Sequence, residues 1–355
     1  MPFNFKYLPT LRGRQQELLL LDNFDFGDRI YPMLEIIKEK DRVNNSKTVA
    51  EIWLGHIGQA KSDRVLVDLP VYIRDTSSMQ DEVLTFNRTT LSNIERRIEF
   101  FRSLQPSPKT IPVISTLLLK TGEVGTITTQ ITALRDIFPV IAVRTFTNTL
   151  DTDLAEITET LTDQDILIYD LDTVQPYSPL VRKQLTSISA ITKPYKIALR
   201  SAINSEIQNT KLDHEEIVAD ADNSLVDVFN SLLKMNGFGD YAGIKKDDLN
   251  AGGTISPGFI FFDPIDNLYY GYKGEIKDLA EFEDTIVPAV LNSKVVTRLR
   301  NEYPEFVTDE NLGYKLLMQI QAGQEKGKSQ AKFKRIAMEH YLFCIKTKIA
   351  KGDFD

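Results

Sequence analysis

Short apolar runs recur along this chain. Each closes on a charged or polar side chain and is followed by a stretch with helical spacing. Arg64–Val71 (RVLVDLPV) is the clearest. It is almost wholly apolar, as a parallel strand buried on both faces must be, and its one interruption is Asp68 ahead of Pro70. An earlier run lies in Arg29–Ile37, with Pro32 near its start and Glu35 at its end. Thr110–Leu118, Val140–Thr145 ending on Arg144, Asp165–Asp172 ending on Asp170 and Asp172, and Tyr195–Ser201 ending on Arg200 continue the series. The intervening stretches read as helices. Lys47–Ala60 sets Val49, Ile52, Trp53, His56 and Ile57 on one side, and Thr89–Leu104 turns Leu91, Ile94, Ile98, Phe101 and Leu104 inward. Thr126–Phe138, Leu154–Leu161, Pro179–Ile191 and Asp222–Met235 complete the set. Ahead of the first run, residues 7–22 read as a turn and then a helix, with Pro9 and Gly13 as breakers.

Strands alternating with helices imply right-handed crossovers and a parallel sheet. A repeat of roughly 35 residues suits a βαβ unit. Six or more such units close naturally into an α/β fold of the (β/α)8, TIM-barrel-like kind. A doubly wound open sheet is the alternative, and it lacks the glycine-rich phosphate fingerprint after any strand. The pattern changes after residue 236. Gly237–Lys245 (GFGDYAGIK) reads as a seventh strand. Ile255–Phe262 and Asn267–Lys273 read as an extra β-hairpin turning at DPID, able to supply the eighth barrel strand and an added edge. Phe282–Glu302 and Asn311–Lys348 read as C-terminal helices. Gly323 and Gly327 each weaken the second by about 1 kcal/mol relative to Ala, so a break is expected there. The expected division is a barrel over 1–280 and a helical extension over 281–355 packed on it.

Composition narrows the setting. Apolar residues make up 42% of 355, enough for a large core without staples. Cys344 is the only thiol, so no internal disulfide forms and a reducing compartment fits. There is no apolar run of membrane-spanning length and no signal-peptide h-region, so a cytoplasmic protein with no membrane role is expected. The net charge of −8 argues against nonspecific nucleic-acid binding by the whole surface. The charge is uneven, however. Residues 313–351 carry nine basic and two acidic side chains, +7, which leaves −15 on the remainder. That basic segment is either a solvated helix face or a contact for nucleic acid.

In a barrel of this kind the C-terminal strand ends gather on one face, and that face holds the site. The carboxylates expected there are Glu35, Asp68, Asp170 and Asp240, as catalytic candidates. Arg12, Arg14, Arg144, Arg200 and Tyr241 are the ligand-binding candidates. Such a cluster can hold Mg²⁺ or Mn²⁺ through carboxylates while arginines hold a phosphate. It can cleave a glycosidic bond with two carboxylates. It can bind a polar ligand or a peptide segment. Each charge can equally be half of a buried ion pair that only holds the barrel. Other chemistries are weakened. His56, His214 and His340 stand at no strand end, so a histidine-rich metal centre is not expected. Cys344 lies on an apolar helical face, and there is no GxSxG elbow or Walker loop. The sole tryptophan, Trp53, sits in a helix, so the sugar platforms of a glycosidase are missing.

YLPTLRGRQQELLLL followed by IYPMLEIIK resembles the opening of the phage beta-protein family, named for the beta protein of T-even phages. The later FGDYAGI resembles that family's second recurrent block. The resemblance spans nearly the whole chain but not the basic segment from about Gly313. It implies a barrel-like protein of phage, prophage and defence-associated gene neighbourhoods, with no established activity. Its pattern falls here on Tyr7, Pro9, Arg12, Arg14, Glu17, Pro32, Glu35, Gly239, Asp240 and Tyr241. Three function classes follow: a binding or regulatory component that uses the strand-end cluster and the first arginines to hold an acidic ligand or a partner segment, a metal-dependent phosphoester hydrolase acting on a nucleotide or nucleic acid, and, last, a glycosidase.

Overall fold

The computed structural model describes residues 3–40, 44–221, 231–246, 249 and 256–354. Most of the expected helix Asp222–Met235 lies outside the described residues. Those of Met1–Arg200, Val228–Asp240 and Leu249–Ala251 form one compact unit, and those of Ser201–Asp227, Tyr241–Asp248 and Gly252–Asp355 form a second.

The first unit is a closed, all-parallel, eight-stranded barrel. Its strands are β1 (Tyr7–Arg12), β2 (Met33–Glu35), β3 (Val65–Asp68), β4 (Thr110–Ile114), β5 (Ala142–Phe146), β6 (Ile166–Asp170), β7 (Tyr195–Leu199) and β8 (Gly237–Asp240). Each pairs with its sequence neighbour, and β1 pairs with β8 to close the ring.

The opening segment departs from the turn expected over its first residues. All six residues of Tyr7–Arg12 are buried in β1. Pro9 is tolerated because the strand changes partner there: Tyr7–Pro9 register with Phe238–Asp240, and Thr10–Arg12 with Met33–Glu35. Gly13 is there for contact, since a Cβ at that position would lie 2.7 Å from the Trp53 ring. With β1 in the ring, the eight places are full. The hairpin therefore supplies no barrel strand. Gly258–Asp263 and Leu268–Lys273 pair antiparallel, and Glu216–Asp220 adds to the latter to make a three-stranded sheet in the second unit.

Alternation along the strands decides what fills the barrel. Phe5, Leu8, Met33, Leu66, Ala142, Ile166, Ile168 and Leu199 belong to one buried apolar cluster. Two residues further along the same strands, on the same face, stand Glu35, Asp68, Arg144 and Asp170. The apolar core is thus capped at the C-terminal end by a charged layer.

Thr89–Leu104 is two helices, Asp81–Ser92 and Ile94–Ser103, rather than one. Asn93 breaks them because its side chain caps the second, accepting from the Arg96 amide at 2.9 Å. In the second unit, Leu312–Gln321 and Gln330–Ala350 are separate helices, with the break at the two glycines. The longer helix packs on the sheet. His340 stacks on Phe261 with centroids 4.2 Å apart, its Nε2 donates to the Phe262 carbonyl at 2.9 Å, and Asn311 Nδ2 donates to its Nδ1 at 2.8 Å. Burial pushes the His340 imidazole down to about 4 and the buried Cys344 thiol up, so both are neutral packing groups. Much of the basic segment is answered within this unit. Lys332 meets Glu325 at 3.0 Å, Arg335 meets Glu339 at 3.5 Å, Lys351 meets Glu305, and Lys348 Nζ donates to the Pro264 carbonyl at 2.8 Å. No helix among the described residues is long and apolar enough to cross a membrane.

Candidate functional site

The charged layer is built around one guanidinium. Arg144 projects inward from β5 and is fully buried. Its Nη1 donates to Glu35 Oε1 at 2.8 Å and to Asp68 Oδ2 at 2.5 Å. Its Nε and Nη2 donate to Asp170 Oδ2 at 3.0 and 2.6 Å. All three carboxylates are sealed from solvent. Asp170 is anchored on its other oxygen by the Asp172 amide at 2.7 Å. Asp172 itself holds a left-handed backbone (φ 54). Arg12, at the end of β1, adds a second cation. Its Nε lies 3.3 Å from Glu35 Oε2, and its Nη2 donates to the Tyr72 hydroxyl at 3.1 Å. Tyr72 in turn donates to Glu35 Oε2 at 2.6 Å. Its ring and that of Phe146 face the Arg144 guanidinium at 5.1 and 5.3 Å.

The carboxyls differ in how firmly they hold a charge. Burial pushes Glu35 up, but Arg144, Arg12 and the Tyr72 hydroxyl together bring it below the ordinary range. For Asp68 burial prevails: even with Arg144 beside it, and with Glu35 opposing ionisation, its carboxyl is pushed up to about 6. Its Oδ1 is buried without a hydrogen-bond partner. A third buried guanidinium, Arg97, stands behind it on the helix Ile94–Ser103, its Nη2 donating to the Leu69 carbonyl at 3.0 Å. Burial lowers Arg97 to about 10, and the charge of Asp68 partly offsets this.

A raised carboxyl pKa stabilises the fold only while the group is protonated. That contribution is complete below 3.8, the ordinary value, and is lost as pH rises through about 6. Asp68→Asn removes the titration. The stability difference between variant and wild type is therefore expected to move toward the variant by on the order of 3 kcal/mol between pH 4 and pH 7.5. Urea unfolding at several pH values reads this directly, and a difference that stays flat with pH would contradict it.

Of the nine side chains expected at the site, Arg12, Glu35, Asp68, Arg144 and Asp170 come together. Asp240 does not join them. It registers with Pro9 on the face opposite Leu8, and there it accepts the Tyr7 hydroxyl at 2.5 Å. Arg200 follows β7, and its Nε donates to the Val174 carbonyl at 3.2 Å. Arg14 immediately precedes the helix Gln15–Asn23 and is half-buried. Because β1 runs parallel to the other strands, Arg12 and Arg14 lie at the strand-end mouth. Tyr241 is buried in the second unit, where Lys246 Nζ lies 5.5 Å from its ring. Two members of the cluster were not foreseen. Arg97 shares the helical face of Ile94, Ile98 and Phe101, a spacing that marks it as inward-facing. Tyr72 lies in irregular chain, and its position carries no periodic signal.

Chemically, the layer is a neutralised ion network. Among the described residues, no group of three or more His, Cys, Asp or Glu is arranged to hold a metal ion. The space between Glu35, Asp68 and Asp170 is taken by the guanidinium of Arg144. No curated protein matches the chain. A family model described as Beta protein matches residues 7–345, nearly the whole length. The barrel with its closing charged layer is therefore the structure of a chain that belongs to the Beta protein family.

Proposed function

We propose that this chain is a binding or regulatory component of phage–host conflict, and that the strand-end mouth of its barrel holds a polar ligand or a segment of a protein partner. The phage setting rests on family membership. The binding role rests on one observation: the Arg144 guanidinium occupies the centre of three carboxylates. A guanidinium orders carboxylates through charge-assisted hydrogen bonds, but it has no coordination position to offer a substrate. The same geometry weighs against the phosphoester hydrolase. In that reading Glu35, Asp68, Asp170 and Asp240 share Mg²⁺ or Mn²⁺, whereas here Asp240 stands on another face. It also shifts the ligand from acidic to polar, because Arg12 and Arg144 are both already engaged with carboxylates.

Titration of MnCl₂ or MgCl₂ is expected to give no saturable heat and no shift in melting temperature, and bis(p-nitrophenyl) phosphate is expected to remain intact. Tagged chain recovered from its host, with and without phage, is expected to bring down a defined partner that is lost on Arg14→Glu at the rim. Saturable Mn²⁺ binding that Glu35→Gln abolishes would overturn the reading in favour of the hydrolase.

A further inference from the structure

Tyr72 differs from the rest of the cluster in two respects. It is partly exposed, whereas Arg144, Glu35, Asp68 and Asp170 are sealed and Arg12 is nearly so. It also lies between β3 and the helix Asp81–Ser92, in chain with no helix or strand. A side chain in such a stretch moves at less cost than one on the barrel.

Its hydroxyl sits between a paired acceptor and donor, giving its hydrogen to Glu35 Oε2 and accepting from Arg12 Nη2. Its ring packs against two buried apolar clusters, one that includes Ile37 and Ile73 and one that includes Val71, Leu117 and Phe146, and the Phe146 ring meets it edge-on with centroids 6.2 Å apart. The space it fills between them is an apolar slot.

A carboxylate and a guanidinium held side by side complement a hydroxyl, which donates once and also accepts. A carboxylate or a fully ionised phosphate brings no hydrogen for Glu35, which its neighbours keep ionised. An ammonium brings no acceptor for Arg12. The apolar walls and the guanidinium facing them favour an aromatic ring behind the hydroxyl.

We infer that the Arg12–Glu35 pair and the slot behind it form a subsite for a phenolic hydroxyl, in which Tyr72 is the resident occupant and is displaced by the ligand's ring. The inference builds on the binding function proposed above and names the chemistry of what is bound: a tyrosine side chain of a partner segment, or a free phenol.

Tyr72→Ala empties the slot. The variant is expected to bind p-cresol saturably, by calorimetry, at least tenfold more tightly than toluene, which has the same ring without the hydroxyl. Tyr72→Phe keeps the ring but loses both hydrogen bonds, so its occupant is seated less firmly. It is expected to bind p-cresol several-fold more tightly than wild type. Equal affinity of folded Tyr72→Ala for p-cresol and toluene, or binding of p-cresol by neither variant, would overturn the subsite. If Tyr72→Ala does not fold, Tyr72→Phe decides alone, and no gain over wild type overturns the inference. N-acetyl-tyrosinamide binding alongside p-cresol supports a partner's tyrosine as the ligand. Binding of p-cresol without it keeps the phenol subsite and overturns the partner-segment reading.

Discussion

Arg144→Met is expected to cost about 3–5 kcal/mol of unfolding free energy at pH 7. Methionine fills much of the same volume, so the loss comes from charge rather than from a cavity. Glu35, Asp68 and Asp170 would be left facing one another in a sealed layer, with Arg12 and Arg97 as the cations shown beside Glu35 and Asp68. The loss is expected to shrink toward acid pH, where Asp68 takes up its proton first, its carboxyl already standing near 6. Adding Asp68→Asn to Arg144→Met removes one stranded charge and is expected to recover part of the stability at pH 7. Guanidinium unfolding of the single and double variants at pH 5 and pH 7 forms the cycle. A loss under 1 kcal/mol at pH 7 would show that the carboxylates have another source of neutralisation.

Gly313→Ala is expected to destabilise the second unit strongly. A Cβ there would lie 2.3 Å from the Ile336 carbonyl oxygen and 2.6 Å from the His340 amide nitrogen. Both belong to the backbone of the helix Gln330–Ala350, so no rotamer change relieves the clash and the helices must separate. Overpacking of this kind costs about 3 kcal/mol. It also pulls on the 2.8 Å contact between Asn311 and His340. Gly55→Ala is the control. It lies on the exposed face of the helix Val49–Gln59, with nothing within 4 Å of the added carbon. There the helix gains about 0.5–1 kcal/mol. Melting temperatures moving in opposite directions would confirm both; a neutral Gly313→Ala would mean that the helix pair is not tightly docked.

Much of the barrel could be read from the chain because short parallel strands, buried on both faces, tolerate charge only at their ends. That rule located Glu35, Asp68, Arg144 and Asp170 before any geometry was known. It failed at β1, where Pro9 and the glycine of LRGR imitate a turn and nothing local reveals that the strand changes partner in its middle. It also misdirected Asp240, because a strand with glycine at alternate positions, Gly237 and Gly239, shows no apolar face by which to count inward and outward. Distances across the mouth are set by barrel closure, which no spacing within one strand encodes. The convergence of three carboxylates on one arginine was therefore not legible. Tyr72 was invisible for a related reason: in irregular chain, side-chain direction follows from tertiary packing alone.

The seam between β1 and β8 has a consequence for how the protein is made. Tyr7 and Asp240 are joined by a 2.5 Å hydrogen bond across 233 residues of chain. A ribosome adding about 5–20 residues per second takes tens of seconds to deliver the second partner after the first. During that time β1 has only β2 beside it and offers an unpaired edge. Newly made chains are therefore exposed to wrong pairing until the last strand emerges. Truncation anywhere before residue 237 leaves that edge permanently open. Such fragments are expected to collect in the insoluble fraction and on chaperones, while a circular permutant that opens the ring at another loop moves the vulnerable edge to a different strand.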